Sequence, residues 1–158
     1  MIDRSDEQPQ DEIRTDSRVP WDVIKWFKPS ERWGSDQVSN EEALTRIEPE
    51  LIHKLDLFRE TIGLPIHVNN AVRNDQGTHG RGQAADIVIG NGIPVVDQFL
   101  LAEKSGLFSG IGVYPFWNRP GLHVDIRNLD PGQPGARWAR NSQGVYVALS
   151  AQFLRGVR

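Results

Sequence analysis

The chain contains no cysteine. Disulfides, thiolate nucleophiles and cysteine-ligated metal sites are therefore excluded, and any metal must be held by His, Asp, Glu or water. Long apolar runs are also missing: none approaches the roughly 18 residues that a membrane-spanning helix requires. Neither sign of charge dominates. A net charge of -3 leaves no broad electrostatic footprint for nucleic acid. No internal repeat is visible. The N-terminal run Met1-Ile2-Asp3-Arg4-Ser5-Asp6-Glu7 has no basic stretch followed by an apolar one, so it is not expected to act as a secretory signal.

What is present is ordinary in amount and specific in arrangement. The 158 residues are 38% hydrophobic and 25% charged, enough for one domain with a real core. Residues 1–18 are polar, lack apolar periodicity and are expected to form a disordered tail, with residues 19–158 as the domain. Trp21, Ile24, Trp26 and Phe27 open an apolar segment that docks on it. Ser39 and Glu42 have capping-box spacing and predict a helix start. Pro49 either opens a second helix or kinks a continuous one. Leu51, Ile52, Leu55, Phe58 and Ile62 form a helical apolar face that Gly63 terminates. Strands are predicted over 65–72, 84–89, 111–114 and 122–126, with a glycine-rich loop over 74–82. A helix is predicted over 95–105, burying Val96, Phe99 and Leu100, with Leu107 following. A final hairpin sets 137–140 against 145–149. The predicted class is α+β: a small, mostly antiparallel sheet flanked by helices.

Only four histidines are present: His53, His67, His79 and His123. His79 begins His-Gly-Arg-Gly-Gln-Ala-Ala-Asp, which ends at Asp86. Asp86 interrupts an apolar strand, and a buried carboxylate needs a partner such as a metal. His123 lies in Gly-Leu-His-Val-Asp-Ile-Arg, where alternation puts His123 and Asp125 on one strand face and Leu122, Val124 and Ile126 on the other. Two histidines and a carboxylate, with one open position, are an accepted catalytic zinc set. The plainer expectations are a structural His67, an exposed or packed His53, and a solvated Arg137 and Arg140. Tyr114 and Trp117 either line a groove or pack beside Pro115.

Residues 79 to 86 resemble the His-x-x-Gly-x-Ala-x-Asp signature of the zinc D-Ala-D-Ala carboxypeptidase family, which has the Hedgehog/DD-peptidase fold. Gly110-Ile111-Gly112-Val113-Tyr114-Pro115 followed by His123-Val124-Asp125 resembles the second half of that signature, closest to murein peptidases and phage endolysins. Val68-Asn69-Asn70-Ala71-Val72-Arg73 resembles the strand that ends in Ser-Gly-Tyr-Arg in the family, with Asn70-Ala71-Val72 in place of the first three. The resemblance spans residues 25–127 in the family's order. It implies His79, Asp86 and His123 as ligands of a single Zn2+, Arg73 as the arginine that meets a substrate carboxylate or carbonyl, and Asp125 as an orienting or catalytic group. Some branches carry a catalytic acid three residues before the last histidine. That position is Pro120 here, so the resemblance assigns no general base.

The resemblance further implies a monomeric zinc peptidase acting on peptidoglycan stem peptides, as a D,D-carboxypeptidase or endopeptidase, with no nucleic-acid or membrane partner. An L-alanyl-D-glutamate endopeptidase is the alternative cleavage. Such an enzyme, made in the cytoplasm without a signal, reaches the wall by release or delivery, as in a phage or prophage. A different class stays open: a non-catalytic, zinc-stabilised module that binds cell wall or peptide.

Overall fold

A computed structural model describes residues 18–157. The tail expected over residues 1–18 lies outside them except for Arg18, which reaches Glu48 at 3.5 Å. After a single 3-10 turn at Trp21–Val23, the elements run α1 (Asn40–Arg46), α2 (Pro49–Ile62), β1 (Ile66–Asn70), β2 (Ala84–Ile89), α3 (Val95–Ser105), β3 (Gly110–Tyr114), β4 (Gly121–Asp125), β5 (Ala136–Arg140), β6 (Tyr146–Ala148) and α4 (Ala151–Gly156). The class is α+β, as expected. The six strands form one mixed sheet, ordered β1-β2-β4-β3-β5-β6. All neighbours are antiparallel except β3 and β5, which are parallel.

Local chemistry explains the boundaries. The Ser39 hydroxyl accepts the Glu42 amide at 3.2 Å and caps α1. Pro49 takes the first turn of a separate helix α2, where its missing N–H costs nothing. Gly63, at φ +69°, ends that helix in the left-handed region. Leu51, Ile52, Leu55 and Phe58 form its buried side.

Strand alternation sorts the sheet into two faces. Ala85, Ile87 and Ile89 of β2, Ile111 and Val113 of β3, Leu122 and Val124 of β4 and Ala139 of β5 join the core. Helix α3 packs on β3 and β4 and touches α2. Phe58 and Phe108 meet edge to face, with centroids 5.4 Å apart. Trp33 is fully buried between Trp21 and Phe27, each 5.9 Å away, so the apolar segment near the N-terminus docks as expected.

Two expectations about side chains fail. Leu100 is 52% exposed; the buried residues of α3 are Val95, Val96, Gln98, Phe99 and Ala102, so Val96 and Phe99 are buried as expected and position 100 turns away from them. Gln98 takes the interior place because its amide is fully used. It accepts from the Ile89 N–H and donates to the Ile93 and Pro120 carbonyls. Arg137 is not a free solvated side chain: it pairs with Glu103 and donates to the Ser109 and Ala136 carbonyls. None of the described helices is long and apolar enough to cross a membrane.

Candidate metal centre

The face of the sheet opposite the core carries the polar groups. The strand registers line up Asn70 (β1), Asp86 (β2), His123 (β4), Gly112 (β3) and Trp138 (β5) as one row across the sheet. Paired residues in a sheet point to the same side, so Asp86 and His123 are neighbours by register alone. A register shift between Val68 and Asn70 turns Asn70 toward Asp86. His79 arrives from the loop between β1 and β2. That loop is held tight: Asp75 accepts the Gly77 and Gly80 amides at 2.9 Å each, and Arg46 of α1 donates to the Gly80 carbonyl at 3.1 Å. A Cβ on Gly80 would lie 1.8 Å from the Asp75 carbonyl oxygen, so only glycine fits there.

His79, Asp86 and His123 are all buried and converge. Their tautomers follow from their outer partners. His79 Nδ1 lies 2.6 Å from the Ala71 carbonyl oxygen, which can only accept, so Nδ1 carries the proton and Nε2 faces inward as a lone pair. His123 Nε2 lies 2.7 Å from Asp125 Oδ2 and donates to it, leaving Nδ1 inward. Asp86 Oδ2 accepts from Asn70 Nδ2 and Arg73 Nη1, both at 3.3 Å, and so its Oδ1 also faces inward. The inward atoms are 3.1 Å apart between the two histidines, 3.3 Å between His79 and Asp86, and 3.6 Å between His123 and Asp86. Three acceptors turned on one another repel unless a cation or a proton lies between them. Ligand bonds of about 2.0–2.1 Å at tetrahedral angles place donor atoms about 3.3 Å apart. The triad is close enough, and correctly polarised, to hold a metal ion.

Asp125 lies behind His123, fully buried. Its carboxylate receives the His123 ring and the Arg127 guanidinium, the latter through Nη2 at 2.6 Å and Nε at 3.0 Å. Arg127 in turn lies 5.1 Å over the Trp138 ring, and that ring is 4.9 Å from the His123 ring. Burial works to raise the Asp125 carboxyl, but bonds from His123 and Arg127 outweigh it and hold it well below the usual carboxylate range. Burial likewise opposes the charge on Asp86, and His123 and His79 overcome it, so Asp86 is also held low. For His123, burial acts to lower the pKa while Asp125 and Asp86 raise it above the ordinary histidine value of 6.5.

The cluster lies between two cavities. One, of about 450 Å³, is lined by His79, His123, Thr78, Arg127 and Trp138; the other, of about 310 Å³, by Asp86, Asn70, Trp117 and Arg140. Arg73, Tyr114 and Tyr146 line both. Arg73 is therefore at the rim, 3.3 Å from Asp86 and 3.6 Å from Asp75. His53 and His67 are exposed and lie apart from the cavity linings.

Arg127 and Trp138 are members of the site that the sequence did not single out, and Asn70 and the two glycines of β3 entered there only as parts of motifs, with no role assigned. A usable signal was present in Gly110-x-Gly112. Glycines at alternate positions of a strand mark a face where something approaches closely. A Cβ on Gly110 would lie 2.2 Å from Asp125 Oδ2, and one on Gly112 would lie 2.6 Å from the Trp138 ring. In comparisons with known proteins, the chain matches no family model and no curated protein.

Proposed function

We propose that this chain is a zinc-dependent peptidase of the D-Ala-D-Ala carboxypeptidase family, with the Hedgehog/DD-peptidase fold, that hydrolyses peptide bonds in peptidoglycan stems. The observation that carries this reading is the convergence of the inward lone pairs of His79, Asp86 and His123 beside open cavities. Two histidines and one carboxylate leave a fourth position for water or substrate, which suits catalytic zinc. Zinc in such a site acidifies water and polarises a carbonyl. The chain's own groups do the rest. Asp125, through the outer nitrogen of His123, fixes the ring that faces the site. Asn70 and Arg73 hold Asp86 by one oxygen so that the other faces inward. Arg73, at the rim, offers its remaining N–H groups to a substrate carboxylate or to the scissile carbonyl. The order of motifs along the chain supports stem peptides as the substrate.

A second reading has its own observation. Asp125 is fully buried with both oxygens engaged, Pro120 stands where some relatives carry an acid, and Asp75, which lines the 450 Å³ cavity, has Oδ1 taken by the Gly77 and Gly80 amides and Oδ2 3.6 Å from Arg73, so among the described residues no unengaged carboxylate adjoins the cluster to take a proton from water. On that basis the site is a zinc-stabilised module that binds wall peptide without cleaving it.

One experiment separates them. Sacculi and soluble muropeptides are incubated with zinc-loaded protein, with and without chelator, and read by mass spectrometry. The peptidase reading expects a chelator-sensitive mass change that the Asp86→Ala variant, still folded, fails to produce. Turnover at wild-type rate by that variant sinks it. Zinc bound one per chain with no cleavage of any stem selects the binding module.

A further inference from the structure

Beyond the metal centre, a groove continues toward the turn between β5 and β6. The 310 Å³ cavity that holds Asp86 shares Tyr114, Trp117 and Arg140 with a third cavity of about 230 Å³, which adds Phe116, Asn141 and Gly144. The two cavities adjoin along those three side chains, as a channel beside the metal ligands. Its wall is flat and braced: the Tyr114 and Trp117 rings stack at 4.3 Å and 17°, and the buried Tyr114 accepts a hydrogen bond from Trp138 Nε1 at 3.3 Å. Phe116 and Tyr146 are 57% and 60% exposed at its edge. A rigid aromatic wall loses little conformational freedom when a ligand lies against it.

The charge in this channel has no internal partner. Arg73, Arg127 and Arg137 are each held by a carboxylate of the chain. Arg140 makes no ion pair among the described residues. Its Nε donates to the Gly144 carbonyl at 3.1 Å, and its guanidinium lies 5.2 Å from the Tyr146 ring. The turn that presents Gly144 is itself fixed, because Asn141 Oδ1 accepts the Gln143 and Val145 amides at 3.0 and 2.9 Å. The guanidinium is thus anchored at one nitrogen, and both Nη groups lack an acceptor among the described residues. Apart from Asp86, whose oxygens are engaged at the metal centre, no acidic side chain lines the channel.

A planar, anchored, unpaired guanidinium beside an aromatic wall is matched to a carboxylate on a peptide. We infer that Tyr114, Trp117 and Arg140 form a second subsite, which binds a carboxylate-bearing peptide segment flanking the bond presented to the metal centre. The inference rests on the peptidase reading for the identity of the peptide; the subsite itself rests on the groove. Arg140, exposed as expected, is then a specificity-determining residue.

The test uses metal-free full-length protein, so that binding is read without cleavage. The probes are a stem tetrapeptide with free carboxylates and the same peptide with those carboxylates amidated, titrated by calorimetry. Wild type is expected to bind the acidic peptide about tenfold more tightly than the amidated one. Arg140→Gln is expected to remove most of that preference, any remainder being due to Arg73, while retaining affinity for the amidated peptide, and Trp117→Ala to weaken both. In zinc-loaded protein the Arg140→Gln loss should fall on KM rather than kcat, with zinc affinity unchanged. Equal binding of the two peptides by wild type, or an acidic-peptide affinity that Arg140→Gln leaves intact, overturns the subsite. Cleavage of stems with an unchanged KM in Arg140→Gln removes the subsite and leaves the peptidase. Loss of the acidic preference in Arg140→Gln, in a protein that cleaves nothing, keeps the subsite and removes the peptidase.

Discussion

Every residue of β2, β3 and β4 is buried, whereas two of the three residues of β6 are exposed and β5 ends in an exposed arginine. In the first region, charged groups are spent on one another. Asp125 takes His123 and Arg127, and Asp86 takes Asn70 and Arg73. Buried charges left unpaired there cost several kcal/mol each, so the region tolerates little change. In the second region, Arg140 and Tyr146 face solvent and have weak claims on the fold. One half of the sheet holds a fixed triad close enough to take a metal ion, and the other carries exposed aromatic and basic side chains.

The sharpest way to break that contrast is at β3. Gly110→Ala places a methyl 2.2 Å from an Asp125 oxygen that cannot retreat, because His123 and Arg127 grip it. Chemical denaturation should show a loss of about 3 kcal/mol, accompanied by loss of metal binding. A stable, metal-binding Gly110→Ala protein would mean that the buried half is more plastic than described. Next comes Asp125→Asn, which keeps the shape and removes the charge behind His123. Metal affinity measured by competition with a chromophoric chelator should fall about 10–100-fold. An unchanged affinity would show that Asp125 does not orient the ligand.

The third prediction concerns pH. In metal-free protein, the raised His123 value means that its charge stabilises the fold below its unfolded value of 6.5, and this is lost as pH rises through the folded value. Asp86 and Asp125, held low, stabilise the fold above the ordinary carboxylate value of 3.8, and this is lost as pH falls through their folded values. The chelated protein should therefore reach its highest Tm between those two reference values, and metal affinity should climb with pH until His123 has lost its proton. A Tm maximum above pH 8 without metal would contradict this. The smallest effect is expected in the far half. Gly156→Ala lies in α4 with nothing within 4 Å of its new methyl, and should gain roughly 0.5 kcal/mol at most. A loss there would show that α4 is packed more tightly than its exposure indicates.

What could be read in the sequence was whatever depends on a residue and its near neighbours. The apolar run at 84–89 gave β2 at its observed boundaries, and capping chemistry at Ser39 gave the start of α1. The alternation in β4 separated His123 and Asp125 from Leu122 and Val124. Facts that depend on register across strands were not legible. Parity shows that Gly112 and Trp138 lie on a strand face, but not that they are adjacent; the parallel pairing of β3 with β5 decides it. The same applies to Asn70, which faces Asp86 because a register shift displaces it, and to Arg137, whose partner Glu103 belongs to a helix 34 residues away in sequence. Leu100 failed because a helix of this length has more apolar residues than its buried stripe can hold.

The bond from His79 to the Ala71 carbonyl carries a consequence for assembly of the molecule. Ala71 and Val72 donate their amides to the Gly34 and Trp33 carbonyls, so the orientation of one metal ligand is handed on to the tryptophan-containing segment ahead of α1. Thermodynamic coupling runs both ways. An ion held by His79 must then tighten the docking of that segment as surely as the segment steadies the histidine. Slower hydrogen exchange at the Ala71 and Val72 amides on metal addition would be its signature. An ion bound there would clasp the tryptophan-containing segment to the sheet.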